Sequence, residues 1–331
     1  MATLNTFMPT LADIATRLDP DNSIAQVIEL LNQTNPILED MAWIEGNLPT
    51  GHKTTIRSGL PTGTWRKLNY GVQPEKSTTV QVTDTTGMLE SYAEVDVDLV
   101  KLNGNSAAFR LSEDRAFIEG MNQTMATTLF YGDASLDPEK FTGIAARYSV
   151  KSGVENGENI LLGGGSGSDN TSIYLVVWGP NTIHGIYPKG STAGLQVQDL
   201  GQDTVYDAAG GRFQAFRTHY KWDCGITLRD WRYVVRIANI DVSELTKNAS
   251  AGADLIDLLS QAMEIPPNLN MGRAVFYANR TITSFLRRQI ANKIAGSTLT
   301  MDQVAGKQVL SFDGVPFRRT DALLNTEATI S

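Results

Sequence analysis

Catalysis requires a nucleophile or a base held against an orienting partner, and few residues of this chain stand in such company. His184, in Asn181-Thr182-Ile183-His184-Gly185, titrates in the range of a general base. His219 lies in Arg217-Thr218-His219-Tyr220-Lys221, where the flanking cations disfavour its protonated form. Without a partner motif, both read as structural histidines. Cys224, beside Trp222 and Asp223, has no activating motif and reads as a buried thiol. One cysteine closes no disulfide within the chain, and three scattered histidines supply no zinc site without carboxylates. Asp96 and Asp98 form an Asp-x-Asp pair, but the alternation around them turns both into water. Gly163 to Ser168 reads GGGSGS. A Walker loop would need a following lysine, a dinucleotide fingerprint a glycine where Ser168 stands, and a nucleophile elbow around Ser166 its final glycine at that same position. No catalytic residue, cofactor or metal site is expected, and the chain is read as a non-enzyme.

The remaining chemistry is charge, and it is segregated. Residues 1 to 50 carry seven acids against Arg17, a formal −6. Residues 51 to 80 carry Lys53, Arg57, Arg66, Lys67 and Lys76 against Glu75, a formal +4. Trp65, Leu68 and Tyr70 interleave with these cations, and apolar side chains on a projecting loop make sense when another surface covers them. Lys53, Arg57, Trp65, Arg66, Lys67 and Tyr70 are therefore candidate contacts; the alternative is a hairpin folded back on its own domain. From Arg273 to Lys293 there are five cations and no acid. Arg280, Arg287 and Arg288 lie near one helical face, and with Lys293 they offer an anion-facing surface for nucleic-acid backbone or a partner's acidic patch. The bland reading is a solvated face.

Several elements must position these residues. Ile24, Val27, Ile28 and Leu31 fall at helical spacing, capped by Asp21 to Ser23 and ended by Asn35-Pro36. Residues 51 to 80, punctuated by glycine and proline, predict a long extended loop. Val95, Val97 and Leu99 alternate with Glu94, Asp96 and Asp98, the period of a strand with one wet face. Asn103 to Ser106 caps a long helix whose apolar stripe is Ala107, Leu111, Ile118, Met125 and Leu129, stopped by Gly132 and Pro138. Lys151 to Asn170 reads as a flexible surface loop. Ile173 to Trp178 reads as a buried strand and Gly225 to Ile240 as a long strand or strand pair. Helices are expected at Ala253 to Met263 and Arg280 to Ile294, the second after an apolar strand, Ala274 to Ala278. Mixed strands and helices without βαβ regularity give an α+β fold.

The whole chain bounds these readings. Its 331 residues suit about two lobes, and 41% hydrophobic with 19% charged residues gives a folded composition. No apolar run is long enough to span a bilayer, and the start lacks a secretion signal, so folding in a cytosol is expected and the five Asn-x-Ser/Thr triplets carry no meaning. A net charge of −8 excludes a protein whose whole surface wraps nucleic acid.

Two central stretches are more specific. Trp178-Gly-Pro-Asn-Thr-Ile-His-Gly-Ile-Tyr-Pro-Lys-Gly190 with Asp199-Leu-Gly201, and Trp222-Asp-Cys-Gly225 with Arg229-Asp-Trp-Arg-Tyr-Val-Val-Arg-Ile-Ala-Asn239, resemble tailed-bacteriophage major capsid proteins. So does the ending Phe312-Asp-Gly-Val-Pro-Phe-Arg-Arg-Thr-Asp-Ala322. The resemblance covers most of the chain and implies the Hong Kong 97 capsid fold. It maps an N-terminal arm onto about 1–48, an extended E-loop onto 49–85, and a P-domain onto 86–245. The P-domain would hold a spine helix near 105–131 and the glycine-rich loop at 151–170; an A-domain and C-terminal return would fill 246–331. The segments 171–178 and 226–240 precede the helices at 253–294, which implies a permuted segment order. The implied function is a shell of hexamers and pentamers around double-stranded DNA, with a virion location and assembly in the host bacterial cytoplasm. The implied partners are a separate scaffolding protein, a portal, and a decoration or cement protein, with no membrane. The alternatives are an encapsulin-like nanocompartment shell, or a soluble α+β enzyme with an unrecognised site.

Overall fold

A computed structural model describes residues 33–101, 106–207, 209–246, 252–291, 299–304 and 307–331. The predicted amphipathic helix at Ile24 to Leu31 and its cap lie outside them, as do Asn103 and Lys293. The chain runs through α1 (Ile37–Asp40), β1 (Trp43–Glu45), β2 (Gly51–Gly59), β3 (Thr78–Thr85), β4 (Gly87–Asp96), α2 (Val97–Lys101) and α3 (Ser106–Tyr131). There follow α4 (Ile144–Arg147), β5 (Ile160–Leu162), β6 (Asn170–Trp178), β7 (Ile183–Tyr187), β8 (Leu195–Tyr206), β9 (Arg212–Leu228) and β10 (Val234–Asp241). The last elements are α5 (Leu255–Glu264), β11 (Arg273–Ala278), α6 (Arg280–Ala291), β12 (Leu299–Val304), β13 (Lys307–Phe312) and β14 (Val315–Arg319).

β6 is the axis of the molecule, because all nine of its residues are buried. It pairs antiparallel with β10 on one side and β11 on the other. Its alternating side chains feed two cores. Tyr174, Val176 and Trp178 join Met125, Leu129 and Phe130 of α3; Ile173 and Leu175 join Leu255, Leu259 and Ala262 of α5 and Ile282 and Leu286 of α6. The result is α3, sheet, and α5 with α6, in three layers, each fully buried apolar side chain contributing about 1.5–3 kcal/mol of transfer free energy. The β6–β11 pairing joins the segments on either side of residue 245 in one sheet. At its start, β1 runs parallel to β7, so the end of the segment read as an arm is a strand of the main sheet. Asp40, one of that segment's acids, is buried and receives Arg273 at 2.7 Å, so it is not free surface charge.

Three expectations need correction. The alternation through Val97 and Leu99 ends at Asp96, whose side chain accepts from the Asp98 N–H at 2.8 Å and starts the helical turn α2; Val97 and Val100, three apart, are buried there. α3 has the expected length, 26 residues. Its stripe differs: Met125 and Leu129 are buried, but Leu111 and Ile118 are exposed, because the second half lies on the main core through Met121, Met125, Ala126, Leu129 and Phe130, while the first half buries Phe109 in a small separate cluster with Val95 and Val100. The glycine-rich stretch is not a loose linker. Ile160 to Leu162 pair in parallel with β10, and the N–H groups of Gly163 and Gly165 donate to the carbonyls of Ala238 and Asn239 at 2.8 Å. A Cβ on Gly165 would stand 2.7 Å from the Asp241 nitrogen, so the glycine serves close backbone approach. Gly225 to Ile240, read as a long strand or a strand pair, is a pair: the end of β9 and β10, separated by a 3₁₀ turn at Trp231–Tyr233 that Asp230 caps.

The C-terminal segment is fastened by a buried ion pair, Arg236 to Glu327 at 2.7 Å. The hydroxyls of Tyr131 and Ser172 also donate to Glu327. These extra donors matter because a buried ion pair offsets its desolvation only when its remaining hydrogen-bonding capacity is met.

Candidate assembly surfaces

β2 and β3 form a two-stranded antiparallel sheet of their own, in register from Gly51 opposite Thr85 to Arg57 opposite Thr79, with a one-residue shift before Gly59 meets Thr78. Threonine in both strands, with Ile56 in β2 and Val80 and Val82 in β3, suits a ribbon with two wet faces. Residues 60–77 form its tip, without strand or helix. A turn closes it, with the Tyr70 N–H donating to Lys67 O at 3.3 Å and Asn69 at φ 68°, a conformation asparagine tolerates. Trp65 is 101% exposed and Leu68 85%, so none of the described residues covers them. The structure thus brings Lys53, Arg57, Trp65, Arg66, Lys67 and Tyr70 onto one exposed projecting hairpin, and the folded-back alternative fails.

The root of that hairpin is a polar cluster that sequence reasoning missed. His52 of β2 and Asp84 of β3 face each other and are buried. Asp84 pairs with Arg147 at 2.8 Å, and Arg229 donates to His52 Nε2 at 3.0 Å. His184 of β7 stands edge-on to His52, with ring centroids 5.8 Å apart. Burial pushes the His184 imidazole down to about 4, and burial with the Arg229 cation lowers that of His52. His184 Nδ1 sits 3.1 Å from Gly185 O, to which it donates, while Nε2 is buried without a partner among the described residues. The five residues come from five places in the chain, and no local spacing could have announced them.

His219 also differs from expectation. Arg217 and Lys221 share its face of β9, but so do Glu90 and Glu94 of β4: Glu90 lies 3.4 Å from His219, and Glu94 3.0 Å from Arg217. Tyr92 stacks on the His219 ring at 4.4 Å. β8, β9 and β4 build this face as a three-stranded ladder, with Met88 and Tyr92 exposed among paired charges. Cys224 is buried as expected, and burial pushes its thiol up. Asp98 pairs with Lys101 at 3.6 Å, and no group of metal-ligating side chains occurs among the described residues.

Arg280, Arg287 and Arg288 do share the exposed face of α6, and the sheet adds Arg319 to them. β14 runs parallel to β11 with Arg319 opposite Ala278, which sets Arg319 beside the first turn of α6. Together with Thr283 and Ser284 they line a concavity of about 380 Å³.

Comparison with known proteins bears on these surfaces. The profile of the family Major capsid protein GP7 matches residues 19–331. The chain is similar to a near-atomic-resolution cryo-EM structure of bacteriophage Epsilon15: 38% identity, TM-score 0.76, covering 100% of this chain and 99% of that one. It shares its fold with the capsid of bacteriophage JBD30 at 11% identity, TM-score 0.52, covering 89% and 92%. No curated protein matches the chain.

Proposed function

The chain belongs to the major capsid protein GP7 family, and on that premise we propose how its copies interlock into the shell of a tailed bacteriophage. Membership of a structural family makes it a component of the virion rather than an enzyme. The hairpin β2–β3 lies across a neighbouring subunit, with Trp65 and Tyr70 as apolar anchors and Lys53, Arg57, Arg66 and Lys67 against acidic side chains. The observation that carries this reading is the complete exposure of Trp65 on a hairpin that none of the described residues covers. The ladder of β4, β9 and β8 is a suitable acceptor for those anchors, since it exposes Met88 and Tyr92. Burying the aromatics supplies most of the affinity and the charges set register. Each contact is weak alone, and closed symmetric assembly engages many at once.

The lobe of α3 with β4, β9 and β8 is the peripheral domain, and the sheet under α5 and α6 the axial one. The shell is icosahedral, built of hexamers and pentamers. It assembles in the host bacterial cytoplasm with a separate scaffolding protein, a portal and a decoration or cement protein, and encloses double-stranded DNA without sequence preference. Trp65→Ala, imaged by electron microscopy after co-expression with its phage partners, should give few or fragile shells from a subunit that still folds. Intact shells of wild-type thermal stability would sink the anchor role.

A further inference from the structure

Arg280, Arg287, Arg288 and Arg319 bring four guanidinium groups to one concavity of a chain whose net charge is −8. Asp321 is the one acid beside them among the described residues, 3.0 Å from Arg319 and 3.8 Å from Arg280. Arg287 and Arg288 meet no carboxylate among the described residues. The guanidinium of Arg288 lies 4.0 Å above the Phe285 ring, and its Nε donates to Ser284 O at 3.4 Å, which fixes the side chain without neutralising it. Gathering like charges in a concavity raises the local potential, and a bound anion relieves it.

We propose that this α6–β14 cleft grips the phosphodiester backbone of the enclosed double-stranded DNA, so that the α5–α6 face of the sheet looks into the shell; this rests on the shell reading above. Guanidinium groups present planar forks that match phosphate oxygens two at a time. The seven-residue step from Arg280 to Arg287 covers about 10 Å of helix axis, while one DNA strand offers a phosphate about every 3.4 Å. A single strand therefore presents several acceptors to the arginines at once. Contacts to phosphate oxygens carry no base information, so a grip made by these arginines on the backbone is independent of sequence. The helix supplies three of the arginines and the strand the fourth, which is why the spacing along the chain shows only part of the site.

The test measures binding of a fluorescent 20-base-pair duplex to the full-length protein as unassembled capsomers, over a series of salt concentrations. For the wild type, the logarithm of affinity should fall with the logarithm of salt at about 0.9 per phosphate contact. Each of R280Q, R287Q, R288Q and R319Q should reduce that slope by about one, and the quadruple variant should bind tenfold or more weakly at low salt. These positions are exposed or half-buried, and an unchanged denaturation midpoint would confirm an intact fold. A quadruple variant with wild-type affinity and slope overturns the proposal. So does polyglutamate of matched charge competing as well as the duplex, which would assign the cleft to an acidic protein segment. Electron microscopy of the same variant separates this from the parent reading: shells that form normally keep the capsid function whatever the duplex does, and a wild type that forms no shell with its partners sinks that function itself.

Discussion

His184 is sealed at the root of the hairpin with one ring nitrogen unpartnered among the described residues, and this fixes the sign of its response to acid. Folded, the imidazole is held neutral down to about pH 4; unfolded, it takes a proton near 6.5. His52 is lowered in the same direction by burial and by Arg229. The unfolded chain thus binds more protons between these limits, so subunit stability is flat above about pH 6.5 and falls as pH drops through that window. Fully expressed, the His184 contribution is roughly 3 kcal/mol. Protonating His52 would also set a second cation against Arg229, which now donates to it at 3.0 Å. His184→Asn keeps a donor for the Gly185 carbonyl and removes the titration. Urea denaturation of unassembled subunits between pH 7 and 4.5 should show the variant losing distinctly less stability than the wild type, and parallel curves would contradict the assignment.

At the scale of elements, local signals were legible and long-range ones were not. α3 could be read because no proline interrupts it and Gly132 and Pro138 stop it; its buried face could not, because its two halves pack on different clusters, Phe109 with Val95 and Val100 and the second half on the main core. The pairing of β8 with β9 left little trace, since both strands carry polar residues on both sides at their exposed end. The arginine face of α6 was visible from spacing, and Arg319 was not, because only the β11–β14 pairing delivers it. One consequence for α3 follows from the same burial pattern. Gly120 lies mid-helix and exposed, and a Cβ there would meet nothing within 4 Å. Gly120→Ala should stabilise the isolated subunit by about 0.5–1 kcal/mol, read as a higher denaturation midpoint with an unchanged slope; a lower midpoint would mean that the helix bends there.

For the whole molecule, the opposed charges found along the chain become opposed charges between copies. The hairpin gathers Lys53, Arg57, Arg66, Lys67 and Lys76 against Glu75, whereas much of the acid on the body is already paired, as Glu94 is with Arg217 and Asp40 with Arg273. Such a surface steers and registers a neighbour more than it binds it, because exposed pairs contribute about 0–1 kcal/mol and are screened beyond about 8 Å at physiological salt. The apolar cover of Trp65 is indifferent to salt. Steering and anchoring can therefore be separated in one experiment, with assembly followed by light scattering as salt is raised. Wild-type subunits should assemble more slowly with each increment. Arg66→Gln with Lys67→Gln should start slower and lose most of that salt dependence, yet yield shells of normal geometry. Trp65→Ala should keep the salt dependence of its encounter rate and lose the stable product at every ionic strength. If the charge variant instead abolishes shells while Trp65→Ala only slows them, the roles are reversed, and the hairpin is held by its ions rather than its aromatics.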